Sequence, residues 1–183
     1  VAAKALVVGP GLNDGVQMGP AVSASQRDTD LSYVEIASEE GATVVAGGTA
    51  GAGNGYFVTP TVIANVRPDM RIAQEEVFGP VLSIIPFKDE EEATQIANDV
   101  RFGLGAGVWT RDIGRAIRMS ENIKSGTVWV NTYRAVSFMS PFGGYKDSGL
   151  GRENGQRAIF EYLQTKSVWI NTGVKAGNPF VMR

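Results

Sequence analysis

Glu75 and Glu76 stand side by side, followed by Phe78 and a Gly79-Pro80 turn, directly before the most apolar run, Val81 to Phe87. An ionised carboxylate accepts two O–H donors through charge-assisted hydrogen bonds, which suits the paired hydroxyls of a sugar. An aromatic two residues on offers a flat apolar wall to a ring. Taken alone, the same stretch also reads as a turn with solvated acids and one core Phe. A second concentration of interest runs from Asn131 to Asn154, carrying Pro141-Phe142-Gly143-Gly144 and Ser148-Gly149-Leu150-Gly151. A loop of that length inside a domain is usually functional or interfacial.

The chain of 183 residues contains no cysteine and no histidine. That excludes disulfides, thiolate and imidazole metal sites, a Cys nucleophile and a Ser-His-Asp triad within it. Chemistry here falls to carboxylates, Lys, Tyr, Ser, Thr or a borrowed residue, and no metal site is expected. A net charge of −2 without a basic block argues against a nucleic-acid partner. No apolar run approaches the roughly 20 residues that span a bilayer. Val1 to Val8 lacks the plan of a signal peptide. No membrane partner is therefore expected, and a cytoplasmic location is.

These residues need elements to position them. Ser23 or Ser25 can cap a helix running to about Glu40, with Leu31, Val34 and Ala37 on one stripe and Gly41 as its stop. Thr43 to Ala46 reads as a short buried strand. Gly47 to Gly55 is glycine-rich but fits neither the dinucleotide-binding nor the phosphate-loop pattern, so it reads as a surface connection. Tyr56 to Val58 and Thr61 to Ile63 are strand-like around Pro60. Val81 to Phe87, Gly105 to Thr110 and Thr127 to Val130 are strands separated by helices capped by Asp89 and beginning near Asp112. This β-α-β-α-β order predicts an α/β fold: an open, mostly parallel sheet with helices on both faces and right-handed crossovers. Ligands of such sheets lie beyond the carboxyl ends of the strands, where the Asn131 loop begins. Gln156 to Leu163 reads as a short helix, Thr165 to Ile170 as a last strand, and the remainder as a polar tail.

Several pieces, in order, resemble the aldehyde dehydrogenase superfamily. They are Met18-Gly19-Pro20, Gly55 to Thr61, Glu75 to Val81, Gly126 to Asn131, Ser140 to Lys146, Ser148 to Glu153 and Tyr162 to Val168. Each piece is weak and the ordered set is specific. The resemblance implies the C-terminal portion of such an enzyme: a partial catalytic α/β domain over 1–153, then a C-terminal helix, oligomerisation strand and tail over 154–183. It implies NAD(P)⁺-dependent oxidation of an aldehyde to a carboxylic acid. A thiolate forms a thiohemiacetal, hydride passes to the nicotinamide, and water hydrolyses the thioester. The family's nucleophilic Cys, general-base Glu, oxyanion-hole Asn side chain and dinucleotide-binding sheet match nothing in this sequence. No catalytic residue is therefore expected in this chain, and alone it is expected to be inactive.

By the same resemblance, Glu76 matches the carboxylate that holds the nicotinamide ribose. Phe78 matches the aromatic beside the nicotinamide, and Gln26 a residue that reaches the cofactor ribose; Thr29 departs from the Lys of some members. Phe142 matches the aromatic at the inner end of the substrate tunnel, Thr132 and Val136 its variable lining, and Met139 its border. Glu75, Lys146, Arg152 and Glu153 are expected to be structural. Thr165 to Ile170 matches the inter-subunit strand, so dimers or tetramers are expected. The cofactor is NAD or NADP and the partner a small aldehyde. An alternative is a non-catalytic binding or oligomerisation module of the same fold. A third, an unrelated nucleotide-binding enzyme with Glu76 as base, is opposed by the missing phosphate loop.

Overall fold

In the computed structural model, which describes residues 2–173, a single turn α1 (Ala2–Ala5) leads into an irregular stretch bridged at Val8 and Met18. The first long element is α2 (Ala24–Glu39). Ser23 starts it, its hydroxyl accepting the Gln26 amide at 3.1 Å, as an N-cap does. Gly41 follows its end at φ +97°, a conformation that Gly adopts without steric cost. The buried face of α2 carries Val34, Ala37 and an acid, Asp30, which is 0 % exposed.

This face packs on a three-stranded sheet. Strand β1 (Thr43–Ala46) runs antiparallel to β2 (Thr61–Ala64), with a register shift between Val44 and Ala46. A one-turn helix α3 (Arg71–Gln74) connects β2 to β3 (Val81–Ser83), which pairs with β2 in parallel. Val34, Ala37, Ile63, Val66, Met70 and Ile72 form the core between helix and sheet.

The second half begins with α4 (Glu90–Asp99). Asp89 accepts the Glu92 amide at 2.9 Å, and the Glu92 carboxylate accepts the Lys88 amide at 2.7 Å, a reciprocal cap shifted by one residue from the usual box. Strands β4 (Phe102–Gly103) and β5 (Gly105–Val108) follow, then α5 (Ile113–Asn122), capped by Asp112, and β6 (Thr127–Val130). Glu90 of α4 holds both Arg115 and Arg118 of α5, at 3.1 and 2.8 Å. Strands β5 and β6 form a parallel pair joined through α5, while β7 (Tyr145–Lys146) pairs antiparallel with β4. A 3₁₀ helix covers Gln156–Tyr162.

The α/β class is as expected, but one continuous parallel sheet is not what forms. The described residues make three small sheets, in the orders β1-β2-β3, β4-β7 and β5-β6. Strand β3 pairs with β2 instead of β5. Beyond it the Ile84 amide donates to the Ile63 carbonyl at 2.8 Å and the Ile84 carbonyl accepts the Val66 amide at 3.2 Å, and Pro86 has no N–H with which to extend a ladder. Tyr56 to Val58, also expected as a strand, makes only a bridge from Val58 to Ala50. Thr165 to Ile170 belongs to no strand among the described residues. No strand among the described residues pairs with it, and a lone strand has no partners for its backbone groups. The expected polar tail lies, from residue 174 onward, outside the described residues. No described helix is long and apolar enough to cross a membrane.

Ile63 is 0 % exposed at the centre of this core. Ile63→Ala is expected to cost about 2–5 kcal/mol of stability, read as a fall in the urea midpoint. Leu12→Ala, at a fully exposed position, should stay within about 0.5 kcal/mol of the parent.

Candidate functional site

Between α3 and β3 the backbone is extended at Glu75 and turns at Phe78. Val77 packs on the core, while Glu76 and Phe78 face outward, Phe78 at 79 % exposure. Phe78 holds φ +63°, a left-handed conformation that costs a residue with a side chain about 1–2 kcal/mol. Such a residue persists where its surroundings over-determine it. Here the constraint comes from several directions. The Gln26 amide nitrogen donates to the Val77 carbonyl at 2.9 Å and to Asp30 Oδ1 at 2.7 Å. Gly79 lies against the Asp30 carboxylate so closely that a Cβ there would overlap it. The Thr61 amide donates to the Pro80 carbonyl at 2.8 Å.

The two neighbouring acids are placed in opposite ways. Glu75 accepts Arg71 Nε at 2.9 Å, Arg71 Nη2 at 2.8 Å and the Tyr33 hydroxyl at 2.5 Å. The Arg71 bonds first, then that of Tyr33, hold its carboxyl down at about 2. Glu76 has no hydrogen bond or ion pair with any described residue, although it lies exposed beside Phe78 on an open concavity. Asp30 departs the other way: burial pushes its carboxyl up, opposed by the Gln26 hydrogen bond.

Glu76 and Phe78 also line a larger open cavity of about 590 Å³, walled on its far side by Phe102, Leu104 and Ser148. Phe142, half-buried, lines a neighbouring cavity of about 570 Å³ together with Leu104, Gly144, Ser148 and Leu150. The two cavities share Leu104 and Ser148. The structure thus brings the outward face of the 76–80 stretch and the Phe142 loop to one wall. It does not bring Thr132 or Val136 to that cavity; both are exposed, as is Met139. Their segment folds back over β6, where the Trp129 indole donates to the Ala135 carbonyl at 2.7 Å and Tyr133 meets Trp129 edge to face.

Polar caps hold this loop. Asn131, at φ +53°, accepts the Thr110 amide at 2.9 Å and donates to the Thr110 carbonyl at 2.8 Å. That pair ties the carboxyl ends of β5 and β6 together. Lys146 Nζ donates to the carbonyls of Asn98 and Val100 at the end of α4, both at 2.8 Å. Arg152 donates to the Gly144 carbonyl at 3.0 Å, and Glu153 pairs with Phe142 through backbone bonds. Sequence reading missed Asp30 and Tyr33. Asp30 had a signal: it is four residues from Gln26 and four from Val34, on the face that a helix buries.

A model of the aldehyde dehydrogenase family matches residues 1–168. The chain belongs to that family. A betaine aldehyde dehydrogenase of Brucella anthropi is 48 % identical over 177 residues, covering 94 % of this chain and 36 % of the relative. A putative aldehyde dehydrogenase of Bacillus subtilis is 47 % identical over 169 residues, with 92 % and 34 % covered. Among solved structures, the NAD⁺ complex of betaine aldehyde dehydrogenase from Staphylococcus aureus superposes with TM-score 0.91 at 41 % identity, over 99 % of this chain and 37 % of that one. The NAD⁺ complex of an aldehyde dehydrogenase from Bacillus cereus gives 0.90 at 45 %, over 94 % and 35 %. The chain spans about a third of the length of the curated relatives it matches.

The carboxyls of Glu75 and of Glu90 are both held at about 2 against an ordinary 4.5. Lowered folded-state values contribute stability that is present above about 4.5 and lost as pH falls toward 2. The urea midpoint is therefore expected to drop across that window. Glu75→Gln and Glu90→Gln should each flatten the drop; a profile unchanged in both variants would remove these pairs as its source.

Proposed function

We propose that this chain forms one side of the cofactor and aldehyde sites of an NAD(P)⁺-dependent aldehyde dehydrogenase. The enzyme would oxidise a small aldehyde to a carboxylic acid in the cytoplasm. In this reading residues 1–153 are part of the catalytic domain, and 154–183 supply a C-terminal helix, an oligomerisation strand and a tail. The observation that carries it is the unpartnered Glu76 carboxylate beside the exposed, strained Phe78.

A nicotinamide dinucleotide fits this donor set. Glu76 is a free double acceptor for ribose hydroxyls, and Phe78 a fixed apolar face for the ring end. When bound, the dinucleotide supplies the hydride acceptor. Solved relatives in complex with NAD⁺ superpose on this chain, which supports that cofactor. Gln26 serves the site through the loop carbonyl it holds. Phe142 lines the approach of the aldehyde, and Thr132 and Val136, exposed on the same loop, would extend that lining in the whole enzyme. Betaine aldehyde dehydrogenases among the relatives support aldehyde oxidation as the reaction class. Covalent chemistry at sulfur must come from outside these 183 residues, which contain no cysteine.

Self-association through Thr165–Ile170 belongs to the same reading. Val168, Trp169 and Ile170 are 69, 95 and 81 % exposed, an apolar segment whose backbone a neighbouring subunit's sheet edge would satisfy. Ile113 and Ile117 of α5, at 74 and 52 % exposure, are a further apolar face that more protein would cover.

The test is NAD⁺ titration of the chain, followed by backbone NMR shifts. Weak binding that moves the resonances of Glu76 to Gly79 is expected, with no aldehyde turnover. Glu76→Gln should weaken it about tenfold or more, the loss of charge-assisted hydrogen bonds. Binding that is tight, or indifferent to Glu76, would defeat the assignment.

A further inference from the structure

We propose that Asp30 and Gln26 form a positioning pair that sets the conformation of the loop carrying Glu76 and Phe78. The proposal rests on the reading of that loop as the cofactor-facing element, but it concerns contacts within the chain itself. Asp30 is 0 % exposed and one of its oxygens, Oδ2, has no hydrogen-bond partner. A buried acid with an orphaned oxygen is costly, and an apolar residue at a core position of α2 would avoid that cost. What the acid supplies is an acceptor for Gln26. The Gln26 amide nitrogen has two N–H groups; one goes to Asp30 Oδ1 and the other to the Val77 carbonyl.

The first bond fixes the direction of the second. Gln has three rotatable side-chain bonds, and holding it costs up to about 1.5–2 kcal/mol of rotamer freedom. Anchoring the amide four residues along the same helix limits that freedom before the loop arrives. The Val77 carbonyl is then held from the helix side, and its side chain is held by the core. Gly79, packed on the same carboxylate, completes the contact from above. The residues on either side of Phe78 are therefore fixed, enough to keep it at φ +63°.

The loop reports its own position through two amides. Thr61 donates to the Pro80 carbonyl and Val81 to the Gly79 carbonyl, both at 2.8 Å. Hydrogen exchange at these two amides, referenced to those of α5, is the measurement. Asp30→Leu removes the acceptor and places a larger apolar side chain at the same position. Exchange at Thr61 and Val81 should rise about five- to tenfold, the effect of one hydrogen bond, with α5 unchanged. Asp30→Asn keeps the shape and an oxygen for Gln26 and should restore the parent rates; Gln26→Ala, which leaves Asp30 in place, should raise them as well, which a purely space-filling role of Asp30 would not require. Wild-type rates in a folded Asp30→Leu chain would overturn the proposal. If that variant unfolds and the α5 amides exchange too, Gln26→Ala decides on the same scale. Loop-only acceleration supports the pair, and unchanged rates sink it. NAD⁺ shifts recorded alongside separate the two readings: a wild-type chain that NAD⁺ leaves unmoved fails the cofactor assignment, whatever the exchange rates say about the pair.

Discussion

The contact between α2 and the β1–β3 sheet is what the rest of this molecule hangs from. Val34 and Ala37 on the helix meet Ile63, Val66, Met70 and Ile72 beneath it. A helix presents residues three and four apart on one face, so the same surface that buries Val34 also directs Asp30 and Gln26 toward the 76–80 stretch. Tyr33, packed at the edge of this core, reaches Glu75 from the same helix. Hydrophobic burial fixes where the helix lies, and polar side chains along its rim then locate the loop.

The loop divides labour between adjacent acids. Glu75 is neutralised within the chain by Arg71 and Tyr33, which leaves its charge with little to offer a ligand. Glu76 points outward with no such partner. Two like charges side by side would repel if both stood free; pairing one of them relieves the other. Across the shared wall of Leu104 and Ser148, the Phe142 loop is stabilised differently, by carbonyl caps from Lys146 and Arg152 and by the Asn131 tie to Thr110. One side of the candidate site rests on core packing and the other on main-chain hydrogen bonds.

Much of this was legible in the sequence where the signal is local. Ser23, Asp89 and Asp112 marked the helix starts they cap, because capping depends on residues within one turn. The candidacy of Glu76 and Phe78 as a ligand-facing pair was read from residue type and order. Sheet assembly was not: nothing local tells β3 to pair with β2 and leave β5 to β6, since pairing is settled by long-range contacts. Thr165 to Ile170 has the alternation of a strand, yet alternation supplies no partner. Asp30 was missed for the opposite reason, since an acid inside an apolar stripe contradicts the pattern that locates the stripe. Such contradictions are expected where a residue serves a site more than the fold.

The backbone at Phe78 has one more consequence. Gly, and to a lesser degree Asn, adopts a positive φ at lower cost than Phe. A laboratory lineage selected for heat tolerance alone would thus be drawn toward losing the ring, while one selected through metabolism would be drawn to keep it. Position 78 is a point where those two histories would part.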